Sequence, residues 1–138
     1  MKLDFGATVS FHRDVNLWVW QPRGVLDEPH VERLIDFIDQ LEEESDEPFD
    51  RYTDLSKLDA VAVSFDYVFR VSLYRRVIYR GLPGAKSAFY VTDRPTAEIA
   101  LTHAVITEDS PLMVKVFLDK EAAAEWLDVG VWELELDR

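Results

Sequence analysis

The chain has 138 residues, of which 48% are apolar, 30% charged and 12% aromatic, and it contains no cysteine. This composition predicts one folded domain over residues 1–138 and excludes a mainly disordered chain, since low apolar content with high charge is what keeps chains unfolded. Without cysteine there are no disulfides or thiolate metal sites, and a reducing cytoplasm is the simplest compartment. The formal net charge of -12 disfavours nucleic-acid binding.

The first segment predicts a β-hairpin. Polar and apolar residues alternate over 8–11, a polar break follows, and residues 16–20 are bulky and apolar. This pattern is typical of two antiparallel strands. Pro22 and Gly24 then end the second strand, because proline cannot donate to a strand ladder and glycine permits a turn.

A helix follows the hairpin. Asp27 precedes Pro29, an order that predicts an N-cap followed by a proline in the first turn. Apolar residues then recur at helical spacing on one face, with acidic residues on the other. The apolar face consists of Val31, Leu34, Ile35, Ile38 and Leu41. Residues 42–48 are predicted to form an acidic surface loop.

The remaining elements alternate between strand and helix. They are, in chain order, a strand within 49–56, an apolar connector over 58–63, a helix from 64 to 80, a strand over 86–92, a helix opened by Asp93 and Pro95, a strand over 112–118, and a short helix capped by Asp119. The second helix is apolar around most of its circumference and is expected to be the most buried. Residues 131–136 alternate with period two, which predicts an extra edge strand. This order predicts an α/β domain with a mixed, mostly parallel sheet of about five strands covered by about four helices.

Residues 23–27, followed by Leu34, form a strand-turn-helix entry of the pattern G-x-L-D, and residues 54–58 are similar to the strand end D-L-S-x-V. Both segments resemble motifs of STAS domains, the SpoIIAA-like superfamily of anti-sigma-factor antagonists. This chain also resembles a branch of small bacterial proteins in this superfamily. The similar segments are residues 49–56, the pair Arg75-Arg76 and residues 121–127. The resemblance covers residues 15–129 and implies a SpoIIAA-like fold.

For function, the resemblance implies a non-enzymatic protein-interaction module whose regulatory members are switched by phosphorylation at the start of the second helix. Here the family's D-S-S-G falls on residues 62–65, so Val63 stands at the phosphoacceptor position and Ser64 one position later. We therefore expect a module without the standard switch, with Ser64 as a helix N-cap. The expected contacts to an unidentified protein partner are Asp59, Ser64, Phe65 and Asp66. A homodimer through the predicted edge strand, with Trp132, Leu134 and Leu136, is a further alternative.

A small-molecule ligand is the alternative from another class. Aromatic and basic residues interleave over 69–80, and a pocket beside this helix would hold a hydrophobic or anionic ligand. The candidate ligand-binding residues are Tyr67, Tyr74, Arg75, Arg76, Tyr79 and Arg80. In the competing interpretation the second helix belongs to the core, and its arginines extend outward to meet the acidic first helix. Residues 28–54 carry eleven acids, and residues 70–94 carry six bases.

Catalysis has little support in the sequence. The spacing of His12, His30 and His103 matches no metal-binding pair, and neither a nucleophile elbow nor a glycine-rich phosphate loop is present. We therefore expect no enzyme, no catalytic residue, no metal and no cofactor. No apolar stretch approaches the roughly 18 residues that a membrane span requires, so no stable membrane insertion is expected.

Overall fold

The structure, a computed structural model, describes residues 8–45, 47–78, 84–108 and 110–136, without the side chains at positions 76 and 78. The strands are β1 Val9–His12, β2 Leu17–Trp20, β3 Gly24–Asp27, β4 Asp50–Asp54, β5 Leu58–Ala62, β6 Ala85–Tyr90 and β7 Leu112–Phe117. The helices are α1 Glu28–Glu44, α2 Phe65–Ile78, α3 Arg94–Ile106, α4 Lys120–Leu127 and a terminal 3₁₀ helix, Val131–Leu134.

The main sheet has five strands in the order β1-β2-β4-β6-β7. Strand β1 pairs antiparallel with β2, and every later pair in this sheet is parallel. All four residues of β2 are buried, as expected of an inner strand covered on both faces. The predicted mixed, mostly parallel sheet with an N-terminal hairpin is therefore confirmed.

Helices cover both faces of this sheet. Trp18 and Trp20 pack against α1, whereas Leu17 and Val19, which point the other way along the same strand, pack against α4 and the terminal 3₁₀ helix. On the Trp18 side, Phe89 of β6 packs with α3. Helices α1 and α3 thus share one face of the sheet, and α4 lies on the opposite face.

A second, two-stranded sheet was missed by the sequence analysis. Strands β3 and β5 pair in parallel, with Gly24 opposite Leu58 and Leu26 opposite Val61. The sequence pattern predicts that the chain's second strand ends at Pro22 and Gly24 and that residues 58–63 form a connector. Strands β3 and β5 are short and contain no fully buried residue, so neither carries a clear alternating pattern, and only their pairing across the chain defines them.

The predicted helix starts are confirmed. Asp27, Asp93 and Asp119 each accept a backbone N–H from the first turn of the helix that follows. Such caps satisfy donors that have no partner within the helix. The end of α1 differs from the prediction, because the helix continues to Glu44 and takes in the first part of the predicted acidic loop.

Helix α2 is less buried than predicted. Four apolar side chains on its outer face are exposed to solvent, and we call them the α2 outer stripe. They are Phe65, Phe69, Leu73 and Val77. Their spacing of four residues places them along one side of the helix. The apolar residues of this helix therefore divide between a buried face and an exposed one.

The predicted edge strand at 131–136 is wrong. Residues 131–134 form the terminal 3₁₀ helix instead, and Leu134 is buried against α4. Trp132 remains exposed, and its indole ring lies over Gly130. Because the alternating residues form no strand there, the argument for a homodimer through that edge loses its basis.

Candidate functional site

A cavity of about 170 Å³ lies between the main sheet, the β3–β5 pair and helices α1 to α3. The helices contribute residues at helical spacing, so that one face of each helix points inward. These residues include Leu34 and Ile38 of α1, Val68 and Val71 of α2, and Ile99 and Ala100 of α3. The sheet contributes Trp18, Trp20 and Phe89. The walls are therefore largely apolar.

Charged groups in the wall are neutralised in pairs. Arg51 and Arg75 line the cavity and are only 5% and 6% exposed. Arg75 Nη1 lies 2.8 Å from Asp39 Oδ1 and 3.7 Å from Glu42 Oε1, and Arg51 Nη2 lies 2.6 Å from Glu42 Oε2. Buried guanidinium groups require such partners, because an uncompensated charge in the interior is costly. Arg75 of α2 therefore meets the acidic α1, as the competing interpretation of the arginines predicted, but its guanidinium is buried rather than directed outward.

A serine and a histidine form a polar pair in the same wall. Ser72 Oγ and His103 Nδ1 are 2.7 Å apart, and the ring of Phe89 packs edge-on against the imidazole. Burial, together with the positive charge of Arg75, lowers the pKa of His103 to about 4. The imidazole is therefore neutral at neutral pH. Sequence reasoning missed this pair, since the two residues are 31 positions apart and neither belongs to a motif.

The predicted ligand-binding residues fall into three groups. Tyr67 and Arg75 line the cavity, and the hydroxyl of Tyr67 donates to the backbone carbonyl of Glu28. Tyr74 points outward, is 47% exposed, and donates its hydroxyl hydrogen to Asp39. The side chain of Arg76 and the whole of Tyr79 and Arg80 lie outside the described residues.

The predicted partner-binding residues lie together at the start of α2 and in the strand before it. Asp59, Ser64, Phe65 and Asp66 are all exposed, and Phe65 is the first residue of the α2 outer stripe. Ser64 Oγ accepts the backbone N–H of Tyr67 at 3.1 Å, which is the geometry of an N-cap. The same hydroxyl lies 3.5 Å from Glu28 Oε2.

Two further features of the described residues concern metals and membranes. Across residues 8–45, 47–78, 84–108 and 110–136, no three histidine, aspartate or glutamate side chains are grouped so that they could hold a metal ion. No helix within these ranges is long and apolar enough to cross a membrane.

Comparison with known proteins identifies the fold. No family model matches the chain, and neither does any curated protein. A solved structure, that of an uncharacterized DUF3478-family protein with a SpoIIAA-like fold from Shewanella loihica PV-4, matches with a TM-score of 0.54 at 16% identity. The match covers 86% of this chain and 90% of the Shewanella chain. The chain has a SpoIIAA-like fold. At this identity the likeness concerns the SpoIIAA-like architecture alone, and it confirms the fold that the motifs at residues 23–27 and 54–58 implied.

Proposed function

We propose that this SpoIIAA-like domain binds a small, largely apolar molecule in the cavity beneath helices α1 to α3. The observation that carries the proposal is the cavity itself, with its volume of about 170 Å³ and its apolar walls. An engineered apolar cavity of about 150 Å³ takes up benzene. The ligand is therefore of the size of a single ring or a short alkyl chain.

The apolar wall supports this function. A bound apolar molecule gains roughly 25 cal/mol for each Å² of its surface that leaves water, and it gains dispersion contacts with the wall atoms.

The proposed role is binding without catalysis, in the cytoplasm. His103 is the titratable base in the cavity wall, and its pKa of about 4 makes it a weak proton acceptor at neutral pH. The expectation of a cytoplasmic protein comes from the absence of cysteine.

A cavity-filling variant tests the proposal. Ala100 lines the cavity, so Ala100→Leu should occupy part of the void, raise the melting temperature and abolish uptake of toluene or indole in ¹H–¹⁵N shift titrations. Ala122→Leu makes the same chemical change at an exposed position on α4 and should leave uptake intact. Unchanged uptake by Ala100→Leu, or no uptake by the unmodified chain, would refute the proposal.

A protein-interaction module remains a second candidate because of the α2 outer stripe. Phe65 and Phe69 are 56% and 49% exposed, and contiguous apolar surface on a monomer often marks a binding site. Ser64 and Asp66 flank Phe65 at the first end of this stripe, where they would form part of a polar rim, and Asp59 of β5 stays a proposed contact.

Charge substitution on the stripe tests the second candidate. Phe65→Asp should release a partner that co-purifies with the native chain, or convert a dimer to a monomer in sedimentation velocity if the partner is a second copy. Leu118→Asp places the same charge at a site that is 77% exposed and outside the stripe. This control should change neither the co-purification of the partner nor the oligomeric state. Equal behaviour of the two variants would argue against an interaction surface on α2.

A further inference from the structure

Among the described residues, the charged groups of the cavity wall are already ion-paired. Its charged members are Arg51 and Arg75, and both are ion-paired to the carboxylates of Asp39 and Glu42 on α1. An anionic ligand would either add an unpaired negative charge to this group or displace one of the carboxylates. Both events are costly beside these buried guanidinium groups, since each leaves a charge without an ionic partner.

The cavity does offer hydrogen bonding to an uncharged group. A neutral imidazole carries one donor and one acceptor nitrogen. In His103 the Nδ1 nitrogen is used by Ser72, and Nε2 has no hydrogen-bond partner among the described residues. Nε2 is a donor in one tautomer and an acceptor in the other, so a hydroxyl group, which both donates and accepts, satisfies either state.

We infer that the cavity selects an uncharged ring or short-chain compound bearing one hydroxyl group, which hydrogen-bonds to the Ser72–His103 pair, and that it rejects the corresponding carboxylate. The inference rests on the proposed binding function and names its ligand class. The size of the ligand follows from the cavity volume of about 170 Å³, which suits a molecule somewhat larger than benzene.

Three compounds of matched shape, benzyl alcohol, benzoate and toluene, test this inference on the intact chain. Dissociation constants come from ¹H–¹⁵N shift titrations at neutral pH. Benzyl alcohol should bind at least about tenfold more tightly than benzoate and several-fold more tightly than toluene, the factors expected for a buried charge and for one hydrogen bond. Equal or tighter binding of benzoate would overturn the inference, as would equal binding of benzyl alcohol and toluene.

Two variants connect the selectivity to the polar pair. His103→Phe and His103→Leu each remove Nε2 and should bring the affinity ratio of benzyl alcohol to toluene close to one, and the second serves if the first does not fold. His12→Phe makes the same change as the first variant at a histidine outside the cavity wall, and it should keep the ratio of the unmodified chain. A ratio that survives in both His103 variants would overturn the role of His103. Failure of all three compounds to bind would instead refute the underlying binding function.

Discussion

Arg75 of α2 and Asp39 of α1 join their helices through an ion pair of 2.8 Å at the edge of the cavity. The guanidinium is buried, whereas the Asp39 side chain keeps 26% of its surface exposed. Arg75 also approaches Glu42, at 3.7 Å. The pair thus links α1 and α2 beside the cavity, and it joins the basic segment of the chain to the acidic one.

Removal of the Asp39 charge should destabilise the fold. In Asp39→Asn, buried Arg75 loses the charge of the described carboxylate closest to it, and the carboxylate of Glu42, at 3.7 Å, also pairs with Arg51. We expect the free energy of unfolding to fall by about 2 kcal/mol, somewhat less than for complete loss of a buried pair. Urea denaturation measures this change. Asp36→Asn, at an exposed position on the same helix, should change stability by less than about 0.5 kcal/mol. Equal effects of the two substitutions would show that the ion pair contributes nothing.

The stability of the fold should depend on pH through His103. Its pKa is lowered from 6.5 to about 4 in the folded chain, by burial and by the charge of Arg75. The unfolded chain therefore binds a proton at higher pH than the folded chain does, and stability falls as the pH drops from 6.5 towards 4. The full loss is about 3 kcal/mol, at about 1.4 kcal/mol per pKa unit.

The variant His103→Gln isolates this effect. Urea denaturation of both proteins between pH 8 and pH 4 should show a stability difference that changes below pH 6.5 and levels off near 4. Asp27 and Asp119 also have lowered pKa values, but these affect stability only at still lower pH, where carboxylates protonate. Both aspartates are present in the unmodified chain and in the variant. A difference that stays constant over the whole range would contradict the prediction.

Leu134 and Trp132 distinguish the terminal 3₁₀ helix from an edge strand. Leu134 is 3% exposed and packs against α4, whereas Trp132 is 72% exposed. Leu134→Ala should therefore lower the free energy of unfolding by about 2–4 kcal/mol, while Trp132→Ala should change it by less than about 0.5 kcal/mol. In an edge strand the two residues would share one face and have similar effects. Thermal denaturation of both variants decides between the two structures.

Ser64 should act through its capping hydrogen bond. Ser64→Ala removes the acceptor for the Tyr67 N–H and should cost about 1 kcal/mol. Ser64→Asp keeps an acceptor but places a negative charge beside Glu28, so it should be no more stable than the unmodified chain despite the favourable helix end. Thermal denaturation at low and high salt tests this, because salt should relieve the repulsion in the aspartate variant alone.

Much of the fold follows from local patterns. The N-caps at Asp27, Asp93 and Asp119 were predictable because a cap depends on residues within one turn of the helix. The hairpin was predictable because alternation over a few residues indicates which face of a strand is buried. Tyr52 and Leu55, two apolar residues of the strand predicted within 49–56, are both buried.

The errors occur where the local pattern is ambiguous. The outer face of α2 contains Phe69 and Val77, whose apolar side chains predicted burial although both are exposed. The tail around Leu134 alternates like a strand, yet it forms a 3₁₀ helix whose single buried leucine packs on α4. In both segments periodicity alone does not reveal which neighbour, if any, covers the side chains.

The sequence by itself thus determined the fold class, the helix starts and the resemblance to the SpoIIAA-like superfamily, because each depends on residues close together in the chain. Only the tertiary structure decided the β3–β5 pair, the burial of Arg75 against Asp39 and the Ser72–His103 contact, since these join residues more than thirty positions apart. The cavity belongs to this second group. Its walls come from the sheet and three helices at once, and a void of that kind depends on how these elements pack rather than on any one of their sequences.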